Sequence, residues 1–175
     1  MGPYVYACTV TVDEDGRFLV RFPQFPEALT DGVTEQEALV EAEDCLREAL
    51  SQRLKRGEDI PDPARVARGE YPVRVAPDLS VKIALSRIMC EQRLTVADLA
   101  RRLGIDHKEG RRLLDPYEAT KMSRLVHALV VLGYGVETTI YDRSRRMRAL
   151  APVGGQPNPI VAGSATRMRR RPVTG

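Results

Sequence analysis

The sequence predicts an α+β protein: a small N-terminal β-sheet with one covering helix, followed by an all-α domain that ends in a short strand. Three observations predict this class. The first third alternates apolar and polar residues, one long segment then repeats apolar residues at helical spacing, and four shorter helical segments follow a proline-rich stretch. A chain of 175 residues with 43% hydrophobic content is long enough for one or two packed cores.

The first element is a predicted β-hairpin. Every second residue is apolar from Tyr4 to Val12 and again from Phe18 to Phe22. An acidic turn at 13–16, which ends in glycine, separates the two segments. Period-two alternation around a turn of this kind is typical of two antiparallel strands. Two prolines follow and lack amide donors, so they are expected to end the second strand, and a short third strand is predicted at 28–30.

A long amphipathic helix is predicted next. Thr34 and Glu37 have the spacing of a capping box, in which the hydroxyl and the carboxylate bond to reciprocal backbone amides. Apolar residues recur at helical spacing from Ala38 to Leu54, and Gly57 ends the segment. One face of this helix is therefore expected to cover the sheet.

A proline-rich stretch then predicts a domain junction. Prolines and a glycine recur between residues 57 and 77, which excludes a helix there, although Tyr71, Val73 and Val75 alternate as a short strand would. The predicted domains are 1–76, 77–142 and a basic, disordered tail at 143–175.

Four short helices are predicted behind this junction. The first carries an apolar stripe from Val81 to Met89 after Asp78, its expected N-cap, and Thr95 gives the second helix a capping signal. The later helices are predicted at 95–104, 106–114 and 123–132, and the β-branched segment Val136 to Tyr141 is predicted to be a strand.

The second and third of these helices have the spacing of a helix-turn-helix. Ala100 is the small residue at the crossing, Gly104 is the turn residue suited to positive φ, and Leu113 is an apolar anchor. The basic third helix can then enter a major groove, although a generic α-hairpin with a solvated basic face has the same pattern. The predicted DNA-binding residues are Thr95, Arg101, Arg102, His107, Lys108, Arg111 and Arg112.

Gly110 departs from the helix-turn-helix pattern because it stands where an apolar anchor is expected. Glycine in a helix interior costs about 1 kcal/mol relative to alanine. The predicted recognition helix is therefore expected to be less rigid than usual.

Charge is distributed unevenly along the chain. Its net charge is +3, but residues 1–62 have a net charge of −8, residues 63–142 of +3 and residues 143–175 of +8. Each sign of potential attracts its complement, so the two ends are expected to bind different partners, with nucleic acid at the basic end.

Composition also excludes several classes of protein. The longest apolar run has five residues, from Ala128 to Leu132, whereas a membrane span needs about 18 or more. Three cysteines without a CxxC spacing, and two histidines without partners at ligand spacing, predict neither disulfides nor a metal site, and His127 is expected on the surface. No cofactor is predicted, and without a visible secretory signal we expect a cytoplasmic location.

Between residues 4 and 142 the chain resembles a HicB-type antitoxin with an Xre-like C-terminal helix-turn-helix. The sequence departs from the family pattern at Glu27 and Gly110. It rests on the hairpin, on the capping residues and on the order of these segments: FPQFPE at 22–27, GEDIP at 57–61, LARRLGI at 99–105 and RLLD at 112–115.

The resemblance implies a partial RNase H-like front domain that binds and blocks a small HicA-type mRNA-cleaving toxin, and a rear domain that represses the operon. An RNA-cleaving toxin must be basic, so acidic residues on the first helix are the predicted contacts. They are Glu35, Glu37, Glu41, Glu43, Asp44 and Glu48. Any one of them also fits the solvated face of an amphipathic helix.

Other interpretations stay open at this point. The RNase H-like resemblance raises a two-metal nuclease, but Asp13, Glu14 and Asp15 lie in one turn, where their side chains diverge, and neither Asp31 nor Asp44 belongs to a recognised motif. A non-enzyme is therefore predicted. The runner-up is a stand-alone repressor whose front domain binds a small ligand or another protein.

Operator binding by such a module normally uses a dimer, so a homodimer or a larger assembly with toxin is expected. Its expected interface is formed by Val130, Val131 and the predicted strand from Val136 to Tyr141. The basic tail is interpreted either as an arm that follows DNA phosphates or as a dispensable extension.

Overall fold

The computed structural model describes residues 4–138 and residue 140. The predicted α+β class is confirmed. The strands are β1 (Val5–Val12), β2 (Phe18–Phe22), β3 (Phe25–Gly32) and β4 (Tyr71–Arg74), and the helices are α1 (Glu35–Arg56), α2 (Pro77–Glu91), α3 (Val96–Leu103), α4 (His107–Leu114) and α5 (Met122–Val131). The tail at 143–175 lies outside the described residues.

The four strands form one antiparallel sheet in the order β3-β2-β1-β4. The predicted hairpin is confirmed, and the Asp13 carboxylate closes its turn by accepting hydrogen bonds from the backbone N–H groups of Asp15 and Arg17 at 3.0 and 2.8 Å. The third strand is longer than the predicted three residues and includes Pro26. Because β3 is an edge strand, the missing N–H of Pro26 can be accommodated there.

Helix α1 packs its apolar face on the sheet, and its predicted N-cap is half right. The Thr34 hydroxyl accepts from the Glu37 N–H at 3.1 Å, but the Glu37 carboxylate accepts from the Val33 N–H at 3.0 Å and not from Thr34. The carboxylate thus satisfies the amide one residue earlier. The helix ends as predicted at Gly57, whose φ of +68° is the left-handed value that glycine adopts without strain.

Helix α2 begins one residue before the predicted cap. Pro77 is its first residue and Ala76 its N-cap, so Asp78 lies inside the first turn and pairs with Arg47 at 3.0 Å. Proline is suited to the first helical position because its φ is preset and its missing N–H would have no intrahelical partner. The expectation of an Asp78 cap was therefore wrong.

Helix α2 also contributes to two hydrophobic cores. Leu79 and Ile83 pack with the sheet and α1, whereas Leu85 and Ile88 pack with α3, α4 and α5. The predicted boundary near residue 77 thus coincides with the start of a helix that both cores share.

The predicted short helices α3, α4 and α5 are confirmed, and local signals set their ends. Thr95 and Asp98 form a complete capping box at the start of α3, and Gly104 ends it with a φ of +65°. The Asp106 side chain then caps α4 by accepting from the Glu109 N–H at 2.8 Å.

The predicted strand from Val136 to Tyr141 is not present among the described residues of that segment. Residues 136–138 and Ile140 belong to no strand, and Thr139 and Tyr141 lie outside the described residues. β-Branched composition favours extended backbone, but a strand also needs a hydrogen-bonded neighbour. Ile140 is instead 95% exposed.

Within the part of the chain that the structure describes, no helix is both long and apolar enough to cross a bilayer.

Candidate functional site

The α3–α4 pair presents the predicted basic surface. Gly110 and Leu113 bury one side of α4, and the opposite side exposes all four of its predicted basic residues, His107, Lys108, Arg111 and Arg112. His107 and Arg111 are four residues apart, as are Lys108 and Arg112, so each pair lies on neighbouring turns of one face. Arg101 and Arg102 are exposed on the adjacent α3.

Three of the seven predicted DNA-binding residues already have partners within the chain. The Thr95 hydroxyl accepts from the Asp98 N–H at 3.1 Å and donates to its carboxylate at 2.6 Å. Arg101 pairs with the same carboxylate at 3.0 Å, and Arg112 approaches Glu118 at 3.7 Å. Thr95 therefore has a structural role at the start of α3.

The side chains of the remaining four, Arg102, His107, Lys108 and Arg111, have neither a hydrogen-bond nor an ion-pair partner among residues 4–138 and 140. Exposed basic side chains without internal partners are available to neutralise phosphates or to bond to base edges. The free positive charge of the pair is thus concentrated on α4 and the end of α3.

The structure adds a basic residue that the sequence interpretation missed. Arg124, in the first turn of α5, forms an ion pair with Glu109 of α4. Glu109 is the only acidic residue of α4, so this pair compensates the one negative charge on that helix. A basic residue at the start of α5 was visible in the sequence, but its partner across the interface was not.

The predicted acidic surface on α1 is brought together in part. Glu37, Glu41, Asp44 and Glu48 are spaced by four, three and four residues, which places them on one exposed stripe of the helix. We refer to these four residues as the acidic stripe.

The other two predicted acidic residues lie outside this stripe. The Glu35 carboxylate accepts a hydrogen bond from the Tyr71 hydroxyl. Burial, together with this carboxylate, raises the pKa of Tyr71 to about 12. Glu43 is exposed on a different side of α1. Helical geometry therefore selects four of the six predicted residues as one surface.

One end of the acidic stripe contacts the loop that follows α4. The Tyr117 hydroxyl donates to the Glu48 carboxylate at 2.9 Å, and Lys55 pairs with Asp115. The buried Lys82 ammonium of α2 donates to the backbone oxygens of Asp115, at 2.6 Å, and Glu118. These residues are far apart in the sequence, so the sequence analysis did not predict this connection between the acidic stripe and the loop after α4.

The carboxylates considered for a nuclease do not converge. Asp13 caps the hairpin turn, Asp31 pairs with Arg17, and Asp44 lies on the acidic stripe. Among the described residues, no group of three or more His, Cys, Asp or Glu side chains is placed to hold a metal ion.

Two other residues with potentially reactive side chains are Cys8, which is buried, and His127, which is exposed. Burial raises the pKa of the Cys8 thiol to about 12, which keeps it protonated at neutral pH. His127 is exposed, as predicted, at the rim of a pocket formed with Leu103, Ile105 and Leu113.

Comparison with known proteins identifies the family of this chain. A family model described as the HicB-like antitoxin of bacterial toxin-antitoxin systems matches residues 5–84. "Antitoxin HicB 2" of Photorhabdus laumondii is 37% identical over 125 residues, which cover 71% of this chain and 88% of that protein. "Antitoxin HicB" of Escherichia coli K12 is 32% identical over 128 residues, covering 73% and 93%. "Antitoxin HicB" of Pseudomonas fluorescens is 30% identical over 122 residues, covering 69% and 84%.

These matches extend past the family model into the helical part of the chain. These three relatives are named as antitoxins, and the HicB-like family is not an enzyme family. The chain belongs to the HicB-like family of antitoxins from bacterial toxin–antitoxin systems.

Proposed function

We propose that this antitoxin neutralises a HicA-type mRNA-cleaving toxin with its N-terminal domain and represses its own operon with a C-terminal helix-turn-helix, acting in the cytoplasm. The proposed domains are 1–76 for toxin binding and 77–142 for DNA binding and dimerisation. The observation that carries the proposal is the opposite charge of two separate surfaces: the acidic stripe on α1 and the unpaired cations on α4.

The α3–α4 pair has the components of a DNA-binding helix-turn-helix. Gly104 allows a tight turn with positive φ, and the free cations lie on the exposed face of the second helix. In the major groove, Lys108 and Arg111 are placed to bond to guanine edges, and Arg102 to contact phosphate. The uncompensated positive charge supplies the sequence-independent part of the affinity.

The acidic stripe suits a cationic partner. A ribonuclease must hold RNA phosphates and is therefore positively charged around its active site. Glu41 and Asp44 are exposed on the middle of the stripe, where they attract such a surface and compete with RNA for it.

Dimerisation completes the DNA-binding proposal. Two recognition helices one helical turn apart read a palindromic operator. Val130 is 56% exposed on α5, Val131 is partly buried beside it, and Val136 is 38% exposed after the helix. We propose that this apolar surface joins two copies, and that the basic tail at 143–175 follows DNA phosphates.

Binding to the DNA upstream of the gene tests the first half of the proposal. Fluorescence anisotropy of labelled upstream fragments is expected to give nanomolar binding that weakens steeply with salt. Arg111→Ala should weaken binding about 10- to 100-fold. The matched control is Arg65→Ala, an exposed arginine outside the helices, which should leave the affinity unchanged. Equal affinities of the two variants would contradict the assignment of α4.

Co-expression with a short neighbouring reading frame tests the second half. A bound toxin should co-purify, and its growth inhibition should be relieved. The double reversal Glu41→Lys with Asp44→Lys should weaken toxin binding and restore toxicity. The control Glu14→Lys with Asp15→Lys changes charge equally in the exposed hairpin turn. Operator binding without any co-purifying protein would instead favour the stand-alone repressor.

A further inference from the structure

Gly110 of α4 packs against Val96 and Ala100 of α3. The residue is buried, and α4 continues through it, with its N–H donating to the Asp106 carbonyl at 3.0 Å. A Cβ atom built on Gly110 would be 3.3 Å from the Ala100 Cβ, 3.3 Å from the Val96 Cγ1 and 3.5 Å from the Val96 carbonyl oxygen. The Cβ of an alanine at this position would therefore be in tighter contact with α3 than most Cβ atoms are, and the neighbouring atoms would have to move by a few tenths of an ångström.

The neighbours of Gly110 have little freedom to move. Carbon atoms pack best at about 3.5 to 4.0 Å, so both 3.3 Å contacts are compressed. The Cβ of Ala100 is fixed by its backbone, and the branched side chain of Val96 has few allowed rotamers. An alanine at position 110 would thus be accommodated mainly by moving α4 away from α3.

Helix propensity makes glycine an unfavourable choice at this position. A glycine inside a helix costs about 1 kcal/mol relative to alanine. The backbone of Gly110 is ordinary right-handed helix, so positive φ does not require glycine there. The close approach of the two helices is what the missing side chain provides.

We propose that Gly110 is a positioning residue for operator recognition: its missing side chain sets the distance between the exposed cations of α3 and those of α4. This inference rests on the proposed DNA binding. Arg102 on α3 and Lys108 and Arg111 on α4 must meet phosphates and base edges of one stiff duplex at the same time. A shift of α4 changes that match without changing any charge.

The test is Gly110→Ala in the full-length protein. We expect a thermal midpoint equal to or above that of the wild type, because alanine favours the helix. Affinity for the upstream operator should nevertheless fall at least fivefold, whereas affinity for a scrambled duplex should change less than twofold. A purely structural role would lower the thermal midpoint and both affinities together.

Two substitutions of Val96 test the same contact from the α3 side. Val96→Ala removes one of the two compressed contacts, so it should recover part of the operator affinity in the Gly110→Ala background and change the affinity of the otherwise wild-type protein less than twofold. Val96→Ile adds a methyl group at this contact and should reproduce the selective loss, which keeps the inference testable if Gly110→Ala does not fold.

The outcomes are distinguishable. Operator affinity equal to that of the wild type in folded Gly110→Ala, or in Val96→Ile if the first variant does not fold, would overturn the positioning role while leaving operator binding intact. Parallel loss of operator and scrambled-duplex binding would also overturn it. A wild-type protein that binds no upstream DNA would contradict the proposed function itself.

Discussion

Tyr117 donates a hydrogen bond of 2.9 Å to the carboxylate of Glu48, 69 residues earlier in the chain. This contact joins the loop after α4 to the acidic helix α1. Both side chains are exposed, so the bond contributes little stability by itself. The same loop also accepts two hydrogen bonds from the buried ammonium of Lys82, which is 1% exposed, and we expect these to contribute more to stability.

Replacement of Lys82 is expected to destabilise the fold. Lys82→Met preserves most of the buried length but leaves the Asp115 and Glu118 carbonyl oxygens without their donor. The free energy of unfolding should fall by about 2 to 4 kcal/mol, measured by urea denaturation. Lys121→Met, at an exposed lysine, is the matched control and should change it by less than about 0.5 kcal/mol. Equal stabilities of the two variants would show that the loop does not depend on Lys82.

Gly32 is expected to tolerate no side chain. A Cβ atom there would lie 2.5 Å from the Ala38 nitrogen and 2.8 Å from its Cα, both backbone atoms of α1. Gly32→Ala should therefore push α1 from the sheet and lower the free energy of unfolding by about 1 to 3 kcal/mol. Gly135→Ala, where a Cβ meets nothing within 4 Å, is the control. Chemical denaturation of both variants measures the difference, and a fully stable Gly32→Ala would disprove the close contact.

The stability of the N-terminus of α3 is expected to depend on pH through Asp98. Hydrogen bonds from the Thr95 hydroxyl and backbone N–H, assisted by Arg101, lower the pKa of Asp98 to about 2 from 3.8. Because the folded-state pKa is below the unfolded value, the carboxylate stabilises the folded state above about pH 4, and this contribution is lost as the pH falls toward 2. An NMR titration of the side-chain carboxyl should give the low pKa directly.

Asp98→Asn is the matching variant for this acid dependence. Its α3 should lack the charge-dependent part of the cap, so its stability should change less between pH 4 and pH 2 than that of the wild type. An Asp98 that titrates near pH 4 would contradict the capping geometry.

Arg124 is expected to affect DNA binding through Glu109. Arg124→Ala leaves the one acidic side chain of α4 uncompensated beside the proposed phosphate contacts. Operator affinity should fall about tenfold, and the loss should be smaller when Glu109→Gln is already present. A double-mutant cycle in the anisotropy assay measures this coupling. Equal losses in both backgrounds would show that Arg124 acts independently of Glu109.

The sequence was informative where structure depends on neighbouring residues. Thr95 marked the start of α3, because a capping hydroxyl bonds to an amide two or three residues away. The acidic stripe follows from helical spacing alone. Local signals were therefore sufficient for most elements and for the exposed charges.

Features that depend on packing between distant segments were not predictable in the same way. The Glu109–Arg124 pair and the Tyr117–Glu48 bond need the tertiary arrangement. The expectation that Gly110 makes α4 less rigid stays a prediction, and its packing against α3 was not foreseen from the sequence. The strand expected from Val136 onward failed among its described residues because composition does not supply a pairing partner.

The sharing of α2 between two cores restricts which segments could replace parts of this chain. A genetic crossover near residue 77 would join a foreign sheet to Leu79 and Ile83, or foreign helices to Leu85 and Ile88, on opposite sides of one helix. In either product, one apolar face of α2 would no longer meet the residues that it packs against in this structure. Exchange of the sheet or of the rear helices at this boundary would therefore require matching substitutions on the corresponding face of α2.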